Sequence, residues 1–281
     1  KLDEMGIRKI NLRAAGYDNI DLKAASDLGI TITNVPNYSP HGIAEHATML
    51  MLMIARKQKI TQWQMMKNDF TMDKIIGNTL QGLTAGILGT GRIGSALAEI
   101  LYGFGMKLIA HDKLINQHLS KKFGVKYVTP EELFKQADII SIHLPLNEST
   151  RYFVDNKLLK LAKYKAILIN TARGAVVKTA DILEALENHH LGGYGMDVYE
   201  KEAGLFFSNH LKDGIQDKVL SKLMQMENVI ITPHQAFATE ESLSTIAETS
   251  FHNLYCFEKA LQSENSLRSN LNIPKRQKEI A

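Results

Sequence analysis

The chain has 281 residues, 44% apolar and 22% charged, with a net charge of +3, a balance that excludes a disordered or fibrous chain. That length exceeds one average domain and falls short of three, so two domains on one polypeptide are expected. Lys and Arg are dispersed among nearly as many Asp and Glu, which argues against nucleic acid as a partner.

Lys1 falls in what reads as a helix approaching a strand. Pro36 and Pro40 then break the chain ahead of a long helical stretch at 40–59. Its apolar run at 49–55 is the longest in the sequence, far short of the roughly 18 residues that cross a bilayer. From Thr84 onward apolar runs of strand length alternate with amphipathic stretches of helix length. Strands are expected at 85–88, 107–110, 126–128, 139–143, 166–170, 193–198 and 229–232, and helices at 92–102, 130–136, 156–161 and 179–187. The strands are nearly continuous in Ile, Leu and Val, as when helices cover both faces of a parallel sheet. The expected class is therefore α/β, with a doubly wound parallel sheet of Rossmann type.

After the Pro233 turn a second long helix is expected at 239–261. It carries the single cysteine, Cys256, with 254–257 as its buried face; one cysteine allows no internal disulfide and fits a reducing compartment. The basic tail Lys275, Arg276, Lys278 reads as a solvated end. With no membrane-length run and no basic-then-apolar leader at the start, no membrane association and a cytoplasmic location are expected. Residues outside the two long helices would form an outer lobe that the chain leaves and re-enters. There is no internal repeat and no low-complexity segment.

Gly89-Thr90-Gly91-Arg92-Ile93-Gly94 directly follows an expected strand and opens an expected helix. In that context the glycines permit a tight turn and close backbone approach to a pyrophosphate, which the free N–H groups of the helix N-terminus attract. Asp112 ends the next strand, placing a carboxylate where it accepts hydrogen bonds from an adenosine ribose and repels the extra phosphate of NADP. NAD is the expected cofactor, with Lys113 the one neighbour that softens the discrimination.

Three further segments put an ionisable residue at the carboxyl end of an expected strand, around Arg173, around Asp197 and Glu202, and around His234. A 2-oxo acid needs a cation that grips its carboxylate, which a guanidinium does bidentately; Arg173 suits that role, or it is a surface ion-pair partner. The developing alkoxide needs an acid, and a histidine held protonated by a carboxylate supplies one. His234 and Glu202 form such a pair, or they are a helix cap and a solvated side chain. Asp197 either accepts from the nicotinamide amide or closes a turn. The remaining histidines carry no ligand spacing, so no metal site is expected.

The segments GTGRIG, NTARGAVV, GMDVYEKE and TPHQAF, in this order and spacing, resemble those of the D-2-hydroxyacid dehydrogenases. Upstream, NLRAAGYDNIDL and NVPNYSPHGIAEHA are similar to that family's substrate loop and first interdomain helix. The stretch from Glu200 through Phe206 and Phe207 to HQAF is particularly similar to the fermentative D-lactate dehydrogenases. The resemblance implies Arg173 as substrate anchor, His234 as acid/base and Glu202 as its partner. It implies a cofactor site at Gly89, Gly91, Arg92, Ile93, Gly94, Asp112, Leu144, Pro145, Thr171, Ala172 and Asp197. It also brings backbone near Ala15 and Gly16 to the substrate carboxylate, with Tyr38 and Phe237 walling the pocket or simply packing. The domains implied are 1–36 and 239–281 as parts of a discontinuous, flavodoxin-like substrate domain, the latter including the interdomain helix, and 37–238 as the NAD-binding domain. Family members carry more strands and helices before the segment that starts at Lys1, so the outer domain is expected to be N-terminally incomplete. One departure is His111, where relatives often have an aromatic residue. Pyruvate and D-lactate are the implied substrate pair and a homodimer or homotetramer the implied assembly. Another 2-oxo acid (glyoxylate, hydroxypyruvate or a branched-chain acid) and an NAD-sensing, corepressor-like binding protein are the alternatives.

Overall fold

The computed structural model describes residues 1–267; the basic tail at Lys275, Arg276 and Lys278 lies outside them. Two compact units emerge, one comprising Lys1–Ser39 with the chain from Ala238 onward, the other Pro40–Phe237. The chain begins with turns at 2–6, not the helix expected at Lys1, because Gly6 in a left-handed conformation ends the first turn before a helix can propagate. It continues through β1 (Lys9–Asn11), α1 (Leu22–Asp27) and β2 (Thr31–Thr33). Asp21 caps α1 by accepting from Ala24 N, and β1 pairs with β2 in parallel.

The larger unit opens with α2 (Pro40–Ala55) and α3 (Gln58–Met65). One helix was expected over 40–59. It breaks instead where Lys57 turns left-handed (φ 51°) and Asn78 N takes the Ala55 carbonyl that a continuing helix needs. There follow β3 (Thr84–Leu88), α4 (Arg92–Gly103), β4 (Lys107–His111), α5 (Gln117–Phe123), β5 (Lys126–Tyr127), α6 (Pro130–Gln136) and β6 (Ile139–Ile142). The unit closes with α7 (Asn156–Leu159), β7 (Ala166–Asn170), α8 (Thr179–Glu187), β8 (Leu191–Met196), α9 (Lys218–Gln225) and β9 (Val229–Ile231).

All seven strands of this unit pair in parallel, in the order β5-β4-β3-β6-β7-β8-β9. Alternate residues feed two different cores, as a strand period of two requires. Ile139 and Ile169 pack with Leu50, Leu97 and Leu101 on one face, while Ile140 and Leu168 pack with Phe134, Ile182 and Leu223 on the other. The doubly wound sheet is thus covered on both sides, and its order reverses between β3 and β6. That reversal opens a crevice at the strands' carboxyl ends, where ligands of such sheets bind.

The chain then returns to the smaller unit through α10 (Glu240–Glu258) and β10 (Ser266–Leu267), the latter antiparallel to β2. Buried Asn253 donates to Asn11 Oδ1 and the Asn34 carbonyl and accepts from Ser263 and Asn265, pinning α10 to the sheet. Cys256 and Phe257 are buried, but Leu254 and Tyr255 are exposed, since four consecutive helical residues cannot share one face. Among the described residues no helix is long and apolar enough to cross a membrane, and no group of three or more His, Cys, Asp or Glu is placed to hold a metal.

Candidate active site

The glycine turn joins β3 to α4 at the point of reversal. Gly89 has φ +93°, and a Cβ there would lie 2.7 Å from the His143 carbonyl. A Cβ on Gly94 would lie 2.0 Å from the Gly89 carbonyl. Both glycines are therefore demanded by the protein itself. Gly91 differs: a Cβ there would meet nothing within 4 Å, so the open space over its backbone suits an approaching pyrophosphate at the N-terminus of α4.

Asp112 follows β4 and leans toward this turn. Its Oδ2 accepts from Thr90 N at 2.6 Å and from the Thr90 hydroxyl, and its Oδ1 accepts from Leu114 N. Partial burial pushes its carboxyl up, but the hydrogen bonds from Thr90 and Leu114 outweigh this and hold it below the usual range. Arg92 and Ile93 begin α4 beside it, and Lys113 reaches Ser149. His111, at the end of β4, bonds through Nδ1 with the Val128 carbonyl and stacks on Phe153. Leu144 and Pro145 follow β6, with Leu144 Cδ2 3.2 Å from the Cβ position of Gly89. Thr171 begins the loop after β7, and its buried hydroxyl has no hydrogen-bond partner. An open glycine turn, an ionised carboxylate and an orphaned buried hydroxyl, all at the carboxyl edge of the sheet, fit a dinucleotide.

Arg173 stands on a loop that Asn170 shapes from both ends: its Oδ1 accepts from Ala172 N and its Nδ2 donates to the Arg173 carbonyl. Arg173 Nη1 donates to the Ala172 carbonyl. The next residue must be glycine, because a Cβ on Gly174 would lie 2.0 Å from the Tyr199 carbonyl carbon. The Arg173 loop thereby rests against the loop after β8, which carries Glu202.

Glu202 Oε1 lies 3.1 Å from His234 Nδ1, while its Oε2 accepts from Tyr199 N. Tyr199 is itself held by a hydrogen bond from its hydroxyl to Asp217; burial, then Asp217, push its phenol up, so it stays a neutral donor. His234 has φ 55°, an uncommon conformation for a residue other than glycine and one that accumulates at functional sites. Its ring is flanked by Phe207 and Phe237 at 5.9 and 6.5 Å. Of the two readings of Asp197, the turn-closing one has its partners in place: this buried carboxylate accepts from Thr232, Gln235 N and Ala236 N.

In the smaller unit, Ala15 offers its carbonyl to Asn34 Nδ2 and lines a hollow of about 350 Å³ together with Tyr17, Pro36, Asn265 and Ser266. Gly16 and Tyr38 lie nearby in the chain and are half-buried. Sequence reasoning does not single out Asn170, Tyr199, Asp217 or His46. Tyr199 and His46 meet side chains remote in sequence, whereas Asn170 and Asp217 bond backbone groups two and three residues on.

A parallel sheet with a glycine turn at its reversal and a histidine–carboxylate pair at its carboxyl edge defines a nicotinamide-dependent oxidoreductase. Residues 48–236 match the family described as D-isomer specific 2-hydroxyacid dehydrogenase, NAD binding domain. The chain is 42% identical over 262 residues to 2-hydroxyacid dehydrogenase A of Aspergillus oryzae, covering 93% of this chain and 75% of that one. It is 39% identical over 267 residues to D-lactate dehydrogenase of Escherichia coli, covering 95% and 81%. The solved structure of D-lactate dehydrogenase from Aquifex aeolicus, complexed with NAD and lactic acid, superposes with a TM-score of 0.86 at 35% identity, covering 92% and 79%. The chain belongs to the D-isomer specific 2-hydroxyacid dehydrogenase family, and its cofactor is NAD.

Proposed function

We propose that this chain is a D-lactate dehydrogenase that interconverts pyruvate and D-lactate. The observation that carries the reading is the 3.1 Å contact between His234 Nδ1 and Glu202 Oε1. With Nδ1 turned to the carboxylate, Nε2 is the nitrogen left to exchange a proton with substrate. Arg173 grips the substrate carboxylate and orients the carbonyl. NADH, when bound, supplies the hydride that adds to the carbonyl carbon. His234 Nε2 donates its proton to the carbonyl oxygen as that bond forms, leaving a D-2-hydroxy acid, and Glu202 stabilises the imidazolium before transfer. Lactate oxidation runs these steps backward and needs a neutral imidazole. The single cysteine, Cys256, supports placing the reaction in the cytoplasm.

The test is a spectrophotometric comparison of pyruvate, glyoxylate, hydroxypyruvate and branched 2-oxo acids with NADH. Pyruvate is expected to give the highest kcat/KM, and a higher value for another 2-oxo acid reassigns the substrate. Arg173→Lys keeps the charge but loses the two parallel hydrogen bonds. It is expected to lower kcat/KM at least a hundredfold, about 2.7 kcal/mol, with NADH affinity little changed. Near-parental turnover in that variant removes Arg173 from the site.

A further inference from the structure

Beneath the turn that carries His234 lies a second histidine–carboxylate contact that the proposed reaction does not use. Asp197 is 1% exposed. Its Oδ1 accepts from the Thr232 hydroxyl at 2.6 Å and from Gln235 N at 2.8 Å, and its Oδ2 accepts from Ala236 N at 2.9 Å. Every one of these donors is neutral. His46, on α2, brings Nε2 to 2.9 Å from Thr232 Oγ1 and 3.4 Å from Asp197 Oδ1, with its side chain 10% exposed. Thr232 commits its hydroxyl proton to Asp197, so its oxygen acts toward His46 as an acceptor. Nε2 of His46 must therefore carry a proton, which fixes it as the donor.

The five residues 232–236 thus hang from one buried carboxylate, and His234 sits in their middle at φ 55°. A left-handed conformation at a non-glycine residue is strained and persists only where surrounding bonds over-determine it. A carboxylate this deeply enclosed also needs every hydrogen-bond donor within reach, because each unmatched part of its charge is costly to bury. His46 answers both needs at once.

We propose that His46 is a positioning residue for the reaction: its Nε2–H holds Thr232 and Asp197 together, which locks residues 232–236 and keeps His234 in the conformation that turns Nδ1 to Glu202. The inference rests on the reading of His234 as the acid/base. His46 does not touch substrate in this scheme. It sets the angle at which the imidazole is offered, so its loss reduces turnover more than binding.

The test compares His46→Phe, which keeps a planar ring and removes the hydrogen bond, with His46→Gln, which retains an N–H donor. Steady-state kinetics with the preferred 2-oxo acid, NADH affinity by fluorescence and the imidazole signals of His234 by NMR are read for each. His46→Phe is expected to lower kcat at least tenfold, with KM and the NADH dissociation constant within threefold of the parent, and to move the His234 signals. His46→Gln is expected to recover kcat to within threefold and to return those signals. Thr232→Val removes the acceptor from the other side and is expected to reproduce the kcat loss, which keeps the test open if the Phe variant does not fold. Parental kcat in His46→Phe or Thr232→Val, or equal damage by Phe and Gln, overturns the proposal. If the parent protein reduces no 2-oxo acid, the functional reading fails on its own. The His234 signals then decide alone: unmoved in His46→Phe they refute the positioning role, and moved and restored by Gln they sustain it.

Discussion

At the scale of single residues, the glycine turn separates what the fold needs from what the ligand needs. Gly94→Ala places a methyl group 2.0 Å from the Gly89 carbonyl and is expected to cost about 1–3 kcal/mol of stability, measured as a lower Tm. Gly91→Ala meets open space, so stability should change by less than about 1 kcal/mol. NADH affinity in that variant should fall tenfold or more, about 1.4 kcal/mol. Equal loss of Tm in both variants would count against this division. His143 offers a second residue-scale prediction. Burial lowers its pKa to about 4, and its Nδ1 is enclosed without a hydrogen-bond partner while Nε2 meets Ser141. An unfolded histidine protonates near 6.5, so the unfolded chain takes up this proton first as pH falls. Stability from this residue is full above about 6.5 and declines toward 4, by up to about 1.4 kcal/mol per pH unit and by less because the residue keeps some exposure. Tm measured from pH 7 to 4 should fall more steeply in the parent than in His143→Gln.

Elements with their own punctuation were the legible ones. Helix α6 was readable to the residue because Thr129, Pro130 and Glu132 form a capping box with proline at the first position, and both reciprocal bonds are made. Thr129→Ala should cost about 1 kcal/mol, seen as a lower Tm with unchanged NADH affinity. Strand β7 and helix α8 likewise lie where hydrophobic pattern placed them. Helices α5 and α9 escaped notice although Asn116 and Asp217 cap them and Gly124 ends α5; neither has the proline at its first position that marks α6. The α2–α3 break was illegible for a different reason: its cause, Asn78 N on the Ala55 carbonyl, lies more than twenty residues downstream. The site divides in the same way. Its glycines, Arg173, Glu202 and His234 stand on short motifs, whereas the bonds that hold the His234 turn run from Asp197 and His46 to groups that only folding brings near.

For the whole molecule, cofactor binding should register as stability. A ligand that binds only the folded state adds about 2.7 kcal/mol at a hundred times its dissociation constant, so saturating NADH is expected to raise Tm. NADPH at equal concentration should raise it less, because the Asp112 carboxylate, held ionised by Thr90 and Leu114, opposes an added phosphate. Equal shifts for the two cofactors would remove Asp112 as the discriminating group. Chain order has a further consequence at this scale, for synthesis in the cell. The larger unit is one uninterrupted segment, Pro40–Phe237, while β2 must wait for β10 and for Asn253 on α10. At about 5–20 residues per second on the ribosome, roughly ten seconds to a minute passes between the emergence of β2 and that of its antiparallel neighbour. Through that interval the side of β2 that pairs with β10 stays unsealed, and the larger unit can finish folding before it is closed.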